Sequence, residues 1–192
     1  MTGRDLARIA LFAALIIALG MVVVPLPGGV PITGQTLGVM IAGAVLGARR
    51  GSLSILLVLV LAAVGLPVLA GGRGGLGVFV GPTVGYLIGW IAAVVVIGLI
   101  MRTGPLRWWR TGLATLLGGI GAVYLFGIPL QALVLGIDLG PTALSSLAFL
   151  PGDLIKAVAA TVLTLALARA YPPAFGDAPD RGRERVREHA AA

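Results

Sequence analysis

The chain has 192 residues, 58% of them apolar and only 11% charged, with a formal charge of +7 and a mean hydropathy of +1.07. A soluble domain carries about 25% charged residues; this one has too little polar surface to face water, which excludes an ordinary globular protein, a disordered chain and a secreted disulfide scaffold. The expected class is an all-α integral membrane protein: residues 1–171 are long enough for six transmembrane helices of about 20 residues each, and residues 172–192 read as a polar, basic cytoplasmic tail.

In chain order, the apolar runs predict spans at Leu6–Val24, Thr36–Ala48, Ser52–Val64, Thr83–Met101, Gly112–Ile137 and Leu144–Tyr171. The first run, led by Arg4 and Arg8, resembles the start of a signal peptide, with Ala18-Leu19-Gly20 as small-residue cleavage chemistry. It stays apolar to Val24, long enough to cross a bilayer, and is read as a retained helix. The second and third runs are short. Arg49-Arg50 forces a break between them, because adjacent arginines at mid-bilayer are costly.

Six crossings put every basic residue except Arg73 and Lys156 on one side, leaving Arg73 and Asp138 in the gaps opposite. Arginine accumulates in cytoplasmic loops, so both termini are expected in the cytoplasm, with the chain in a bacterial-type inner (cell) membrane. The high pI of about 11.3 reflects this pattern rather than a nucleic-acid partner.

Several chemistries are excluded. There is no cysteine, and the single histidine, His189, lies in the tail, so neither a thiolate or zinc cluster nor a Ser–His nucleophile pair is available within the spans. No metal, no cofactor and no enzymatic activity are expected. Ser145 and Ser146 read as helix-packing hydroxyls. No G-x-x-x-x-G-K-[ST] loop occurs, so ATP-driven work must come from another chain.

Small residues recur at four-residue spacing in Ala10/Ala14/Ala18, Gly34/Gly38, Gly43/Gly47 and Gly81/Gly85/Gly89. Such stripes let helix backbones approach closely in lipid. On the outer side, Pro25 to Gly34 forms one loop, and Gly65 to Pro82 forms another containing Gly71, Gly72, Gly74 and Gly75. Gly72, Gly74 and Gly77 match G-x-G-x-x-G, but no strand–turn–helix unit surrounds them, so the match is accidental. The second loop reads either as close backbone approach to a ligand, a lid, or as a flexible connector.

Asp153 and Lys156 carry the chemical argument. They follow Pro151-Gly152, lie three residues apart on one helical face and sit in an apolar run. Ionisable groups at membrane depth mark ligand or ion paths, although a self-satisfied pair capping the helix near the interface is the alternative. A carboxylate beside an ammonium suits a small polar ligand better than a metal or a proton relay. Gln35, Thr36 and Tyr86 lie on the same predicted side and can supply further hydrogen bonds. Trp90, Trp108 and Trp109 read as interface anchors.

These residues resemble the BioY family, the biotin-specific substrate-capture (S) components of energy-coupling-factor (ECF) transporters. The matching stretches are Pro31-Ile32-Thr33 with Gln35-Thr36-Leu37, Gly47 with Arg49-Arg50-Gly51, Gly65-Leu66-Pro67-Val68 with Ala70-Gly71-Gly72 and Gly74-Gly75, Gly81-Pro82-Thr83 with Gly85-Tyr86-Leu87, and Pro151-Gly152-Asp153 with Lys156. The likeness runs from about Leu6 to Ala168; each motif is weak alone, and the five in order are specific. Gly34, Leu69 and Val84 stand where bulkier apolar residues, Phe and Gly are common in the family, and none is a polar contact.

The resemblance implies a six-helix fold that binds biotin with high affinity from outside and moves within the bilayer to release it. It implies partners, too: a transmembrane coupling subunit, contacted through Ala10, Ala14 and Ala18, and a pair of ABC-type ATPases. The implied pocket uses Asp153 and Lys156, the loop glycines 71, 72, 74 and 75, and Gln35, Thr36 and Tyr86. Asp153 is expected to accept a ureido N–H and Lys156 to donate to the ureido oxygen; docking of the biotin carboxylate on Lys156 is the alternative. Other readings are capture of thiamin or riboflavin, which would want more stacking side chains than 6% aromatic content supplies, and a proton-coupled permease. An intramembrane enzyme lacks its nucleophile–base pair.

Overall fold

The structure, a computed structural model, describes residues 1–24 and 30–175. His189, the tail arginines and the Pro25-Leu26-Pro27 part of the first outer loop lie outside the described residues. The chain is almost wholly helical: α1 (Gly3–Leu19), α2 (Gln35–Ala63), α3 (Val84–Arg102), α4 (Trp108–Leu116), α5 (Val123–Leu135), α6 (Leu139–Ser146) and α7 (Leu150–Ala170). A π-helical segment, Leu117–Ala122, joins α4 to α5, and one 3-10 turn, Leu147–Phe149, joins α6 to α7. Among the described residues, four stretches are long and apolar enough to cross a membrane: Gln35–Ala63, Val84–Arg102, Trp108–Leu135 and Leu139–Ala170.

The first span is shorter than the sequence predicts. A capping box fixes its start: the Thr2 hydroxyl accepts from the Asp5 N–H, and the Asp5 carboxylate accepts from the Thr2 N–H. The helix stops at Leu19, and Val23-Val24 instead pair antiparallel with Ile32-Thr33, so β-branched residues assigned to the span form a short hairpin.

The break within α2 falls at Gly47, not at Arg49-Arg50 as the charges suggest. Gly47 has φ 74° and ψ 178°, a left-handed-side conformation open to glycine. In a straight helix, residues 42 and 51 would be about 13 Å apart along the axis. A Cβ added to Gly51 would instead lie 3.1 Å from the Ala42 carbonyl oxygen, so α2 doubles back on itself. The start of α2 therefore meets the loop that follows its end: the Gln35 side chain bonds to Val68 and Ala70, although a straight 29-residue helix would separate its ends by about 44 Å.

Glycine lets the helices touch at backbone distance. A Cβ on Gly98 would sit 2.1 Å from the Ala48 nitrogen, locking α3 against the Gly47 turn. Gly38 lies under Ile16 of α1, Gly43 under Ile97 of α3, and Gly85 and Gly89 under Phe126 and Val123 of α5, as small-residue packing in lipid requires. Hydroxyls add to this between α4 and α7, where Thr115 Oγ1 lies 3.2 Å from Thr161 Oγ1. Ser145 and Ser146 bond back to the Thr142 carbonyl, as packing hydroxyls do.

Arginines other than Arg73 gather at one end. Arg50 Nε pairs with Asp5 Oδ1 at 2.9 Å, the Arg8 guanidinium donates to the Pro173 carbonyl, and Arg110 stacks on Trp109, 5.3 Å from its ring centroid. The start of α1 and the end of α7 thus share this end with the Gly47 turn. The opposite end, where the first residues of α2, α3, α5 and α7 converge, holds a cavity.

Candidate functional site

The cavity contains about 610 Å³ of empty space, including the mouth that opens to solvent. Its wall comes from the β-hairpin (Ile32, Thr33), the N-terminus of α2 (Gln35, Thr36), the loop after α2 (Leu69, Ala70, Arg73), α3 (Tyr86, Trp90), the first turn of α5 (Val123, Tyr124), Phe149, and α7 (Asp153, Lys156). Because the π segment interrupts the α-helical register just before α5, Val123 and Tyr124 are the residues it delivers to this wall.

Asp153 and Lys156 face each other across one turn of α7, with Nζ 2.9 Å from Oδ1 and side chains 8% and 15% exposed respectively. Pro151 sits in the first turn of α7, where its missing N–H costs nothing, and the preceding 3-10 turn aims that turn at the cavity. The pair is not an isolated cap at an interface. Lys156 also donates to Thr36 Oγ1 on α2, at 3.1 Å, and Tyr124 of α5 donates its hydroxyl to Asp153 Oδ2 at 2.8 Å. Three helices are thereby joined through one ion pair, and each partner keeps capacity to spare: one Lys156 proton and the second lone pairs of the carboxylate.

Gln35 and Tyr86 have other duties. Gln35, 1% exposed, donates to the Val68 carbonyl and accepts from the Ala70 N–H, both at 3.1 Å, so it holds the loop after α2 in place. Tyr86 donates to Gln131 Oε1 at 2.8 Å, shares a 3.2 Å bond with Ser146 Oγ, and meets the Phe149 ring edge-on at 6.0 Å.

Of the sequence-predicted pocket residues, Gln35, Thr36, Tyr86, Asp153 and Lys156 are brought together on one wall. Gly71, Gly72, Gly74 and Gly75 are not on that wall. Gly71, Gly72 and Gly75 take positive φ (68°, 74° and 84°), and Gly74 lies so close under the Leu66 carbonyl that a Cβ would come within 2.1 Å of it. The glycines shape the turn from behind, while Leu69, Ala70 and Arg73 present its surface to the cavity. Trp90 is not an interface anchor: it is 5% exposed and lines the cavity, whereas Trp108 is 72% exposed.

The BioY family matches this chain over residues 1–173. The chain belongs to the BioY family. A biotin transporter BioY of Rhizobium etli is 48% identical over 182 residues, covering 90% of this chain and 97% of that protein. The biotin transporter BioY of Rhodobacter capsulatus is 50% identical over 186 residues, with 90% and 97% covered. Among solved structures, the S-component for biotin from an ECF-type ABC transporter superposes with a TM-score of 0.82 at 35% identity, covering 88% of this chain and 95% of that one.

Within this BioY chain, two wall residues escape a sequence reading: Tyr124, the hydrogen-bond donor to Asp153, and Phe149, packed on Tyr86. Tyr124 stands in an apolar stretch where nothing marks the inward face, and Phe149 ends a short 3-10 turn whose side-chain direction no α-helical spacing gives. Ala10, Ala14 and Ala18 are all exposed on α1, flanked by exposed Leu11 and Leu15, so this stripe is unpartnered within the chain.

Proposed function

We propose that the chain is the membrane-embedded, biotin-binding component of a vitamin uptake transporter, and that biotin occupies the cavity between α2, α3, α5 and α7. The observation that carries this reading is the buried Asp153–Lys156 pair, bonded to Tyr124 and Thr36 at the edge of an otherwise largely apolar cavity. A ureido group offers two N–H donors and one carbonyl acceptor. Asp153 accepts from a ureido N–H, and the remaining Lys156 proton goes to the ureido oxygen, while Trp90, Phe149 and Val123 cover the rings. Four aromatic residues (Tyr86, Trp90, Tyr124 and Phe149) converge here, so scarcity of stacking groups is no argument against thiamin or riboflavin. The biotin reading rests on the polar pair and on the names of the relatives.

In the membrane, α1, the two arms of α2, α3, the α4–α5 rod and the α6–α7 rod make six crossings. The arginine-rich end, with both termini, lies in the cytoplasm of a bacterial-type cell, and the cavity opens outward. The exposed Ala10/Ala14/Ala18 stripe takes the transmembrane coupling subunit, which connects to ABC-type ATPases on other chains. Residues 1–171 form the binding domain, with 172–192 as its cytoplasmic tail.

The test is radiolabelled biotin: binding to the purified full chain, and uptake by cells expressing it with and without the coupling subunit and ATPases. Saturable binding, with uptake raised by the coupling module, is the expected result. Absence of biotin binding, or preference for thiamin or riboflavin, would refute the assignment.

A further inference from the structure

Arg73 is the only charged residue between Arg50 and Arg102, and it lines the cavity. We infer that Arg73 binds the carboxylate of the ligand at the cavity mouth, so that biotin enters ring first, with its ureido group at Asp153 and Lys156 and its acid tail outward. This rests on the biotin reading and settles which of the two dockings applies.

The charge inventory of the wall is the first argument. Among the lining residues, the ionised groups are Asp153, Lys156 and Arg73. Asp153 and Lys156 neutralise each other at 2.9 Å. The wall is left with one unmatched positive charge, that of Arg73, the complement of a monoanion. No carboxylate pairs with Arg73 among the described residues.

The second argument is what each end of the cavity can accept. A ligand carboxylate on Lys156 would stand beside Asp153, in a region screened from water, and like charges at that range repel strongly. A neutral ureido group meets no such penalty there. Arg73, by contrast, is exposed, whereas its neighbours Leu69 and Ala70 are buried. It sits where a charged tail can keep part of its hydration.

Third, the loop is built to present this side chain. Leu69 and Arg73 exchange backbone hydrogen bonds at 3.0 and 3.2 Å, and Arg73 Nε donates to the Ala70 carbonyl at 3.1 Å. The positive-φ glycines close this turn, and Gln35 ties Val68 and Ala70 to α2. With Nε committed, the two terminal nitrogens of the guanidinium keep their protons for a carboxylate. The glycine cluster then has a function although it does not touch the cavity: it holds Arg73 in place.

The experiment compares biotin with biotinamide, its neutral amide, on the purified full chain by calorimetry. The wild type is expected to prefer biotin. Arg73→Gln should weaken biotin by about tenfold, the scale of one charge-assisted contact, leave biotinamide unchanged, and so abolish the preference; Arg73→Lys should retain part of it. Asp153→Asn should weaken both ligands alike. Preference intact in Arg73→Gln but lost in Lys156→Met would place the carboxylate on Lys156 and overturn the inference. Equal weakening of both ligands by Arg73→Gln would make Arg73 a structural element of the loop and overturn it as well. A wild type that binds neither ligand would remove the biotin reading itself, and this inference with it.

Discussion

Asp153→Asn separates the functional role of the buried pair from its structural role. The substitution keeps the shape but removes the negative charge and turns one of the two acceptor oxygens into a donor, so the remaining amide oxygen serves the Lys156 ammonium while the amide N–H faces the Tyr124 hydroxyl. Stranding one member of a buried pair costs about 3–5 kcal/mol. With Lys156 15% exposed and an amide oxygen still accepting, the expected loss of stability is about 2–3 kcal/mol. Adding Lys156→Met removes the stranded charge, so the double variant should recover most of that loss. Binding should behave differently: each single variant, and the double, should bind biotin at least about tenfold more weakly, or about 1.4 kcal/mol. Thermal unfolding in detergent gives the stability series, and calorimetry with biotin gives the affinities. A double variant that binds like the wild type would refute the role of the pair in the pocket, and an Asp153→Asn variant as stable as the wild type would refute the coupling within it.

Gln35→Leu strands the Val68 carbonyl and the Ala70 N–H, at about 1–3 kcal/mol for each; amide exchange over residues 66–75 should accelerate more than about tenfold, and unchanged exchange would dismiss Gln35 as the strut of the loop. Ala14→Trp enlarges the exposed stripe on α1 without touching the cavity, so biotin binding should persist while ATP-dependent uptake falls; unimpaired uptake would move the coupling-subunit contact elsewhere. The Thr2 backbone N–H, then the Thr2 side chain and the Arg50 guanidinium, hold the Asp5 carboxyl below its usual range. A carboxyl whose folded pKa is depressed stabilises the fold above its unfolded value, about 4, and loses that contribution as pH falls through the folded value. The wild type should therefore lose its stability advantage over Asp5→Asn between pH 5 and strongly acidic conditions, as read by thermal unfolding; an advantage that survives at the lowest pH would assign it to packing.

Membrane character, the long apolar helices such as α3 and the Asp153–Lys156 pair were all legible in the amino-acid sequence, because each is a local property. A spanning helix satisfies its own backbone, so its length and apolarity identify it before any neighbour is placed; α3 runs over Val84–Arg102 where the apolar run predicts Thr83–Met101. The three-residue spacing of Asp153 and Lys156 likewise guarantees a shared face on any helix. Tertiary structure alone decided that Tyr124 would bond to Asp153, that Trp90 would turn inward, that Gln35 would brace a loop more than thirty positions along the chain, and that α2 would reverse at Gly47 rather than at its arginines. In a water-soluble helix, a polar stripe reveals which side faces the core. Helices that are apolar all round carry no such mark, and the inward face is fixed only when glycines bring neighbouring backbones into contact.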